Sequence, residues 1–122
     1  MEQPISLKTK IITPRVDETR DWYRDLIGME VAEEWNEAGD RGCILSMPAS
    51  RGEAYLEIFD GPDHDFAGLS LQFRVRDVDD YSGLDDQRFE SRGPEDRPWG
   101  SRYLFLTDPN GIAVILFSGS SL

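Results

Sequence analysis

The chain has 122 residues, 39% of them hydrophobic and 30% charged, a length and balance that predict one soluble globular domain with its own core. Its 24 acidic and 13 basic residues give a formal net charge of −11, which disfavours contact with nucleic acid or an anionic membrane surface. No stretch approaches the roughly 20 apolar residues that span a bilayer, and the first residues lack the pattern of a signal peptide. We therefore expect a cytoplasmic protein that binds neither nucleic acid nor membrane.

Two segments have the spacing of helices. The first runs from Asp17 to Ile27, with Asp17 as the expected N-cap and Gly28 as the left-handed residue that ends the helix. The second starts at Asp77 and is expected to be short, because Gly83 weakens it. The apolar residues that share one face of this second helix are Val78, Tyr81 and Leu84.

The rest of the chain is predicted to form strands. They are expected over 7–12, 29–37, 42–47, 53–59, 69–76, 101–107 and 112–117, with a weaker one over 88–92. The segment from Asp108 to Gly111, Asp-Pro-Asn-Gly, fits a type I turn closed by a glycine bulge. It is predicted to join the last two strands as a hairpin.

The order of elements repeats, with a strand, a helix and three strands in each half. The two predicted caps, Asp17 and Asp77, lie 60 residues apart, and an Arg-Val pair precedes each of them. This repetition indicates an internal duplication. We predict an α+β fold in which a single domain, 1–122, contains two modules, about 5–60 and 68–119, joined by the linker 60–68.

Alternation along the strands separates two faces of the predicted sheet. In the fourth strand, Leu56 and Ile58 alternate with Tyr55, Glu57 and Phe59. The aliphatic face is expected to pack on the helices. The side chains assigned to the other face are Lys8, Lys10, Tyr55, Glu57, Phe59, Gln72, Arg74, Tyr103 and Phe105. Rings interleaved with isolated charges are typical of a lined ligand cavity, whereas the alternatives are a partner subunit that covers this face or rings that are only half-buried.

Three further residues are candidates for the same cavity. Trp35 is expected to line either the cavity or a subunit interface, and Trp99 to act as a lid or to fill an interface. Arg102 is a further candidate cation, whereas Trp22 is expected in the core. The complete predicted ligand-binding set is Lys8, Trp35, Tyr55, Glu57, Phe59, Gln72, Arg74, Trp99, Arg102, Tyr103 and Phe105.

The residues that most often carry catalysis are scarce. Cys43 is the only cysteine, so no internal disulfide can form, and it is expected to be an inert, small hydrophobic residue. His64 is the only histidine and lies in a turn-like stretch. The sequence therefore predicts neither a catalytic residue nor a zinc site.

Two signatures resemble those of the vicinal oxygen chelate superfamily, which contains glyoxalase I, extradiol dioxygenases, fosfomycin-modifying enzymes and bleomycin-resistance proteins. The segment Trp22–Val31 is similar to its helix-to-strand signature, and Pro98–Arg102 together with Asp108–Gly111 is similar to its C-terminal one. The resemblance implies the glyoxalase/bleomycin resistance fold, an α+β fold. In it, two βαβββ modules form a cupped mixed sheet with the helices on its outer face.

The enzymes of that superfamily hold a divalent metal with one side chain from the first and one from the fourth strand of each module. Carried over by motif position, those sites fall on Lys8, Glu57, Ser70 and Ile115. Of these, only Glu57 is a good anionic ligand, since a protonated lysine only donates. The resemblance thus implies a metal-free protein without a cofactor. The alternative is a metal-dependent lyase or dioxygenase that uses Glu57 with waters or unrecognised ligands.

Among metal-free members, the chain is most similar to bleomycin-resistance binding proteins, which also carry a Pro-Trp-Gly like 98–100 and tend to be acidic. This implies a homodimer that sequesters an aromatic or amphipathic small molecule, such as an antibiotic. The cations Lys8, Lys10 and Arg74 suit a carboxylate, phosphate or carbonyl better than a polycation. A regulatory or interaction module with a filled cleft is the third hypothesis.

Overall fold

The computed structural model describes residues 2–49, 54–84 and 86–119. Glu53, where the fourth strand is predicted to begin, lies outside the described residues. The chain divides into two compact units, one ending at His64 and the other beginning at Asp65. Each unit is described by itself below.

The first unit contains a four-stranded mixed sheet and one helical segment. Its elements are β1 (Leu7–Thr13), α1 (Val16–Trp22), a π-helical turn (Tyr23–Ile27), β2 (Glu30–Glu37), β3 (Asp40–Ser46) and β4 (Ala54–Asp60). The strand order is β1-β4-β3-β2, in which β1 and β4 are parallel and the other neighbours are antiparallel. Because α1 packs on β3 and β4, one face of this sheet is covered by the helix.

The predicted first helix is confirmed, but its cap is not. Arg15, not Asp17, precedes the helix, and no side chain caps it. Asp17 lies in the first turn, where its carboxylate accepts a hydrogen bond from Arg41. That bond is the main reason why the pKa of Asp17 lies below its ordinary value. At the other end Gly28 has a φ of 93°, so the predicted left-handed ending is confirmed.

The second unit repeats the topology of the first. Its elements are β5 (Ser70–Arg74), a 3₁₀ turn (Val78–Asp80), β6 (Ser91–Asp96), β7 (Ser101–Thr107) and β8 (Ala113–Gly119). The strand order is β5-β8-β7-β6, with β5 and β8 parallel. The predicted β-α-β-β-β order is thus confirmed in the first unit. In the second unit the strands follow the same order, but a 3₁₀ turn replaces the helix.

The predicted second helix is wrong in extent. Asp77 does cap it, because its carboxylate accepts a hydrogen bond from the Asp79 backbone N–H at 2.9 Å, but only one 3₁₀ turn follows. Val78 is fully buried, whereas Tyr81 is half-buried and Leu84 is exposed. A single turn cannot place the later two residues on the core face, so the expected apolar stripe does not form.

The hairpin between β7 and β8 is confirmed. One carboxylate oxygen of Asp108 accepts hydrogen bonds from the backbone N–H groups of Asn110 at 2.7 Å and Ile112 at 2.9 Å. Gly111 has a φ of 80° and donates its N–H to the Asp108 carbonyl at 3.1 Å. Asp108 therefore accepts the free backbone N–H groups of the turn, and Gly111 supplies the positive φ that the turn requires.

The aliphatic positions of the strands form the cores of the two units. Fully buried examples are Ile11, Leu45 and Ile58 in the first unit and Leu104, Val114 and Leu116 in the second. Because strand side chains alternate, burying these positions leaves the rings and charges of the same strands on the opposite face. Among the described residues, no helix is long and apolar enough to cross a membrane.

Cys43 on β3 should resist thiol reagents as long as the protein is folded. Its side chain is fully buried, and burial, with a smaller contribution from Glu34, raises the pKa of the thiol to about 11. Because the thiolate is the reactive form, we expect no labelling by a disulfide reagent at pH 8 and complete labelling in denaturant. Rapid labelling of the native protein, followed by absorbance, would contradict this expectation.

Candidate functional site

In the first unit, the face of the sheet opposite α1 carries a half-buried carboxylate between two ammonium groups. The β1–β4 register pairs Lys8 with Tyr55, Lys10 with Glu57 and Ile12 with Phe59. Lys8 Nζ lies 3.5 Å and Lys10 Nζ 3.9 Å from the two carboxylate oxygens of Glu57. The Lys10 ammonium also lies 4.3 Å from the centre of the Phe59 ring. We call the side of the sheet defined by Lys8, Lys10, Tyr55, Glu57 and Phe59 the Glu57 face.

Trp35 lies at the far side of the same sheet and covers a glycine. Gly42 pairs with Trp35 on one side and with Phe59 on the other, so the register puts the indole on the Glu57 face. A Cβ on Gly42 would lie 2.7 Å from a carbon of that ring, so the ring packs directly on the glycine. The indole N–H donates to the Asp40 carboxylate at 2.7 Å. These contacts give Trp35 a structural task at the sheet edge.

The positions that would hold a metal in the superfamily's enzymes do not fit one. Both oxygens of Glu57 face ammonium groups, which would repel a divalent cation at the same place. In the second unit, Ser70 pairs with Ala113, and Ile115 has no donor atom to offer. Across 2–49, 54–84 and 86–119, no three His, Cys, Asp or Glu side chains cluster as metal ligands would.

The second unit carries a row of aromatic rings on one face of its sheet. Tyr103 is central, with ring centres 5.7 Å from Trp99, 5.8 Å from Phe105 and 6.0 Å from Phe117. The Trp99 ring meets that of Tyr103 edge to face, and 47% of Trp99 is exposed. We call these four residues the aromatic row. Rings at these distances stabilise one another, and the three that are not buried, Trp99, Tyr103 and Phe105, offer apolar area to a guest.

Two guanidinium groups border the aromatic row. Arg92 lies 4.0 Å above the ring centre of Phe105, and Arg97 lies 4.8 Å above that of Trp99. Both also approach the Glu95 carboxylate, at 3.4 Å and 3.0 Å respectively. The row therefore combines apolar contact area with cationic groups held in place by stacking and by one shared counterion.

The other predicted residues of the second unit divide between the two faces. Gln72 pairs with Ile115 and Arg74 with Phe117, so both lie on the face of the aromatic row. Arg102 lies on the opposite face, where its guanidinium contacts Asp79 and Asp96, each at 3.1 Å. Arg102, a candidate cation for the cavity, thus lies on the face opposite Tyr103, because neighbouring residues in a strand point to opposite sides.

A groove of about 380 Å³ adjoins the aromatic row at the end nearest Phe105. Its wall includes Phe105, Ile115 and Arg92, together with the polar residues Glu90 and Thr107. A concave, partly apolar wall with a few polar groups is the usual form of a small-molecule site. The groove thus extends the surface that the rings offer.

Sequence reasoning missed Phe117, Arg92 and Arg97 as members of this site. Alternation along 112–117 puts Phe117 on the same face as Ile115, and this is the signal that could have added it. The sequence predicts the sixth strand over 88–92, whereas the structure has it at Ser91–Asp96. With the correct bounds, the register pairs Arg92 with Phe105.

Solved structures share this fold. TnmS3 from Streptomyces sp. CB03234, described as an antibiotic binding protein, is 23% identical, with a TM-score of 0.72 over 98% of this chain and 100% of that one. A member of the glyoxalase/bleomycin resistance protein/dioxygenase superfamily from Sphaerobacter thermophilus DSM 20745 is 22% identical, with a TM-score of 0.71 over 93% and 95%. A lactoylglutathione lyase from Agrobacterium tumefaciens is 21% identical, with a TM-score of 0.67 over 93% and 92%. At these identities the likeness shows the α+β fold.

A search of curated proteins finds no match. The profile of one family, described as the Glyoxalase/Bleomycin resistance protein/Dioxygenase superfamily, matches residues 6–116. That match covers most of the 122-residue chain, including both signatures and both units. The chain therefore belongs to the glyoxalase/bleomycin resistance protein/dioxygenase superfamily, as its two signatures predict.

Proposed function

We propose that this protein is a metal-free, small-molecule binding member of its superfamily that holds an aromatic or amphipathic compound. The observation that carries the proposal is the aromatic row of the second unit, where three rings surround Tyr103 within 6.0 Å. A planar guest can stack on the exposed Trp99 ring and contact the half-buried Tyr103 and Phe105, and the apolar area it buries drives the association. Neither step requires a metal ion.

The composition of the site supports binding over catalysis. At the aromatic row, Arg92 and Arg97 donate hydrogen bonds but are not proton acceptors, and the Glu95 carboxylate is paired with both of them. The donor set at the superfamily's metal positions also disfavours the metal-dependent alternative. A protein that only sequesters its guest needs neither a general base nor a Lewis acid.

The relatives support an antibiotic or a similar compound as the class of guest. TnmS3, which shares the fold at a TM-score of 0.72, is described as an antibiotic binding protein. Sequestration of such a compound would lower its free concentration and protect the cell. The proposal includes a homodimer in the cytoplasm, as the resemblance implies.

Tryptophan fluorescence tests the proposal. Trp99 is 47% exposed and lies in the aromatic row, so a stacked guest should quench it saturably. We expect saturable quenching by members of a panel of neutral, anionic and cationic planar aromatic compounds, with affinities unchanged by a chelator and confirmed by calorimetry. Trp99→Phe should remove most of the quenching, whereas the matched Trp35→Phe variant should retain it. The proposal fails if no compound binds or if the chelator abolishes binding.

A further inference from the structure

The chain contains only two lysines, Lys8 and Lys10, and its other eleven basic residues are arginines. Both lysines lie on β1 with their ammonium groups beside the carboxylate of Glu57. The only ammonium side chains of this protein are thus gathered around one carboxylate. We call these three residues the lysine–glutamate cluster.

Burial in this cluster is unequal. The Glu57 side chain is 12% exposed, whereas those of Lys8 and Lys10 are 53% and 47% exposed. The carboxylate is therefore enclosed, and the two ammonium groups reach solvent. Each ammonium carries three donors, and separations of 3.5 and 3.9 Å from Glu57 leave room for another acceptor.

The charges of the cluster do not cancel. Its two ammonium groups and one carboxylate leave the cluster itself with one net positive charge, in a chain whose net charge is −11. A bound monoanion would neutralise that charge. Phe59 and Tyr55 lie on the same face and would offer apolar area to the rest of the ligand.

We propose that Lys8 and Lys10 together bind the carboxylate of an aromatic acid, in competition with Glu57, the counterion that the two ammonium groups share. The proposal goes beyond the proposed function, because the lysine–glutamate cluster lies in the first unit and the aromatic row lies in the second. The ligand class is accordingly an aromatic carboxylate, not a cationic compound. Lysine suits this task because its ammonium is a compact charge that can turn toward an anion of any orientation.

Lysine-selective isotope labelling tests the proposal directly, since only two residues carry the label. Benzoate, titrated into the full-length protein at constant ionic strength, should move the side-chain ε resonances of both lysines saturably. Benzamide, which has the same ring without the charge, should move them little, and benzylamine should not compete. Equal responses to benzoate and benzamide would overturn the proposal.

Charge-changing variants give effects of opposite sign. Lys8→Gln and Lys10→Gln should each weaken benzoate binding by about threefold to fivefold, the value of a half-exposed ion pair. Glu57→Gln should strengthen it by a similar factor, because the amide removes a repulsive charge and keeps the length of the side chain. Arg24→Gln, a matched loss of one positive charge on the helix of the same unit, should leave the affinity unchanged.

These outcomes separate the two proposals. If Glu57→Gln weakens binding, or Arg24→Gln weakens it as much as Lys8→Gln does, the lysine–glutamate cluster is not the anion site. If the lysine ε resonances do not shift on titration with benzoate while aromatic compounds still quench Trp99, the inference fails and the proposed function stands. If neither probe responds to any compound, the proposed function fails as well.

Discussion

Replacing Tyr103 with leucine should weaken the binding of aromatic ligands by about tenfold. Tyr103 is the ring that contacts Trp99, Phe105 and Phe117, so its loss removes one stacking surface and loosens three others. A ring pair contributes roughly 0.5–1.5 kcal/mol beyond the area it buries, and about 1.4 kcal/mol corresponds to a factor of ten in affinity. Isothermal titration calorimetry with the tightest compound of the fluorescence panel measures the change.

Tyr81→Leu is the matched control for that variant. Tyr81 is half-buried in the same unit and follows the 3₁₀ turn that packs on the other face of β7 and β8. The Tyr81→Leu substitution should change the ligand affinity by less than about twofold, because Tyr81 lies outside the aromatic row. Equal losses in the two variants would show that ligand binding depends on the stability of the unit and not on the row.

Trp22→Ala should cost about 3–5 kcal/mol of unfolding free energy, the range for deleting a large buried ring. Trp22 is 2% exposed at the end of α1 and packs edge to face on Tyr23, with ring centres 4.8 Å apart. Removing it leaves a cavity that the surrounding β-sheet and helix can fill only in part. Urea denaturation followed by circular dichroism measures the loss as a lower midpoint with an unchanged slope.

Trp35→Ala provides the control for the same deletion at an edge of the sheet. Trp35 is half-buried, and the contacts it makes are the hydrogen bond to Asp40 and the packing over Gly42. Losing one such hydrogen bond costs about 1 kcal/mol, so the effect should be much smaller than at Trp22. Comparable losses in the two variants would contradict the assignment of Trp22 to the core.

The local parts of the fold could be predicted because single residues specify them. Asp108 and Gly111 determine the last hairpin through side-chain capping and a positive φ, and Gly28 ends the first helix in the same conformation. Alternation in β4 and β7 also separates the buried Ile58 and Leu104 from the rings beside them. These are interactions between near neighbours in the chain, so the sequence pattern carries them.

Errors arose where a partner distant in the chain decides the outcome. The sequence predicts that Asp17 caps the helix, but its carboxylate instead accepts a hydrogen bond from Arg41, which lies on β3, 24 residues later in the chain. Ion pairs of this kind depend on which surfaces meet after folding, and no local pattern reveals that.

In the candidate sites, too, some features follow from the local sequence and others depend on residues that are distant in the chain. Lys8, Glu57, Tyr103 and Phe105 were placed on their faces from a period of two, and the register confirms those placements. Two features could not be predicted without knowing which strands pair. They are the position of Glu57 between two ammonium groups and the stacking of Arg92 and Arg97 on the rings.

By itself, the sequence determined the superfamily, the repeated order of strands and the side of the sheet to which each alternating residue points. Tertiary structure decided which charges neutralise one another, that the second helix shrinks to one turn, and that three rings meet around Tyr103. The physical reason is the separation along the chain over which each kind of interaction acts. Turn geometry and strand alternation act over a few residues, whereas ion pairs and ring contacts depend on distances between atoms that are far apart in the chain.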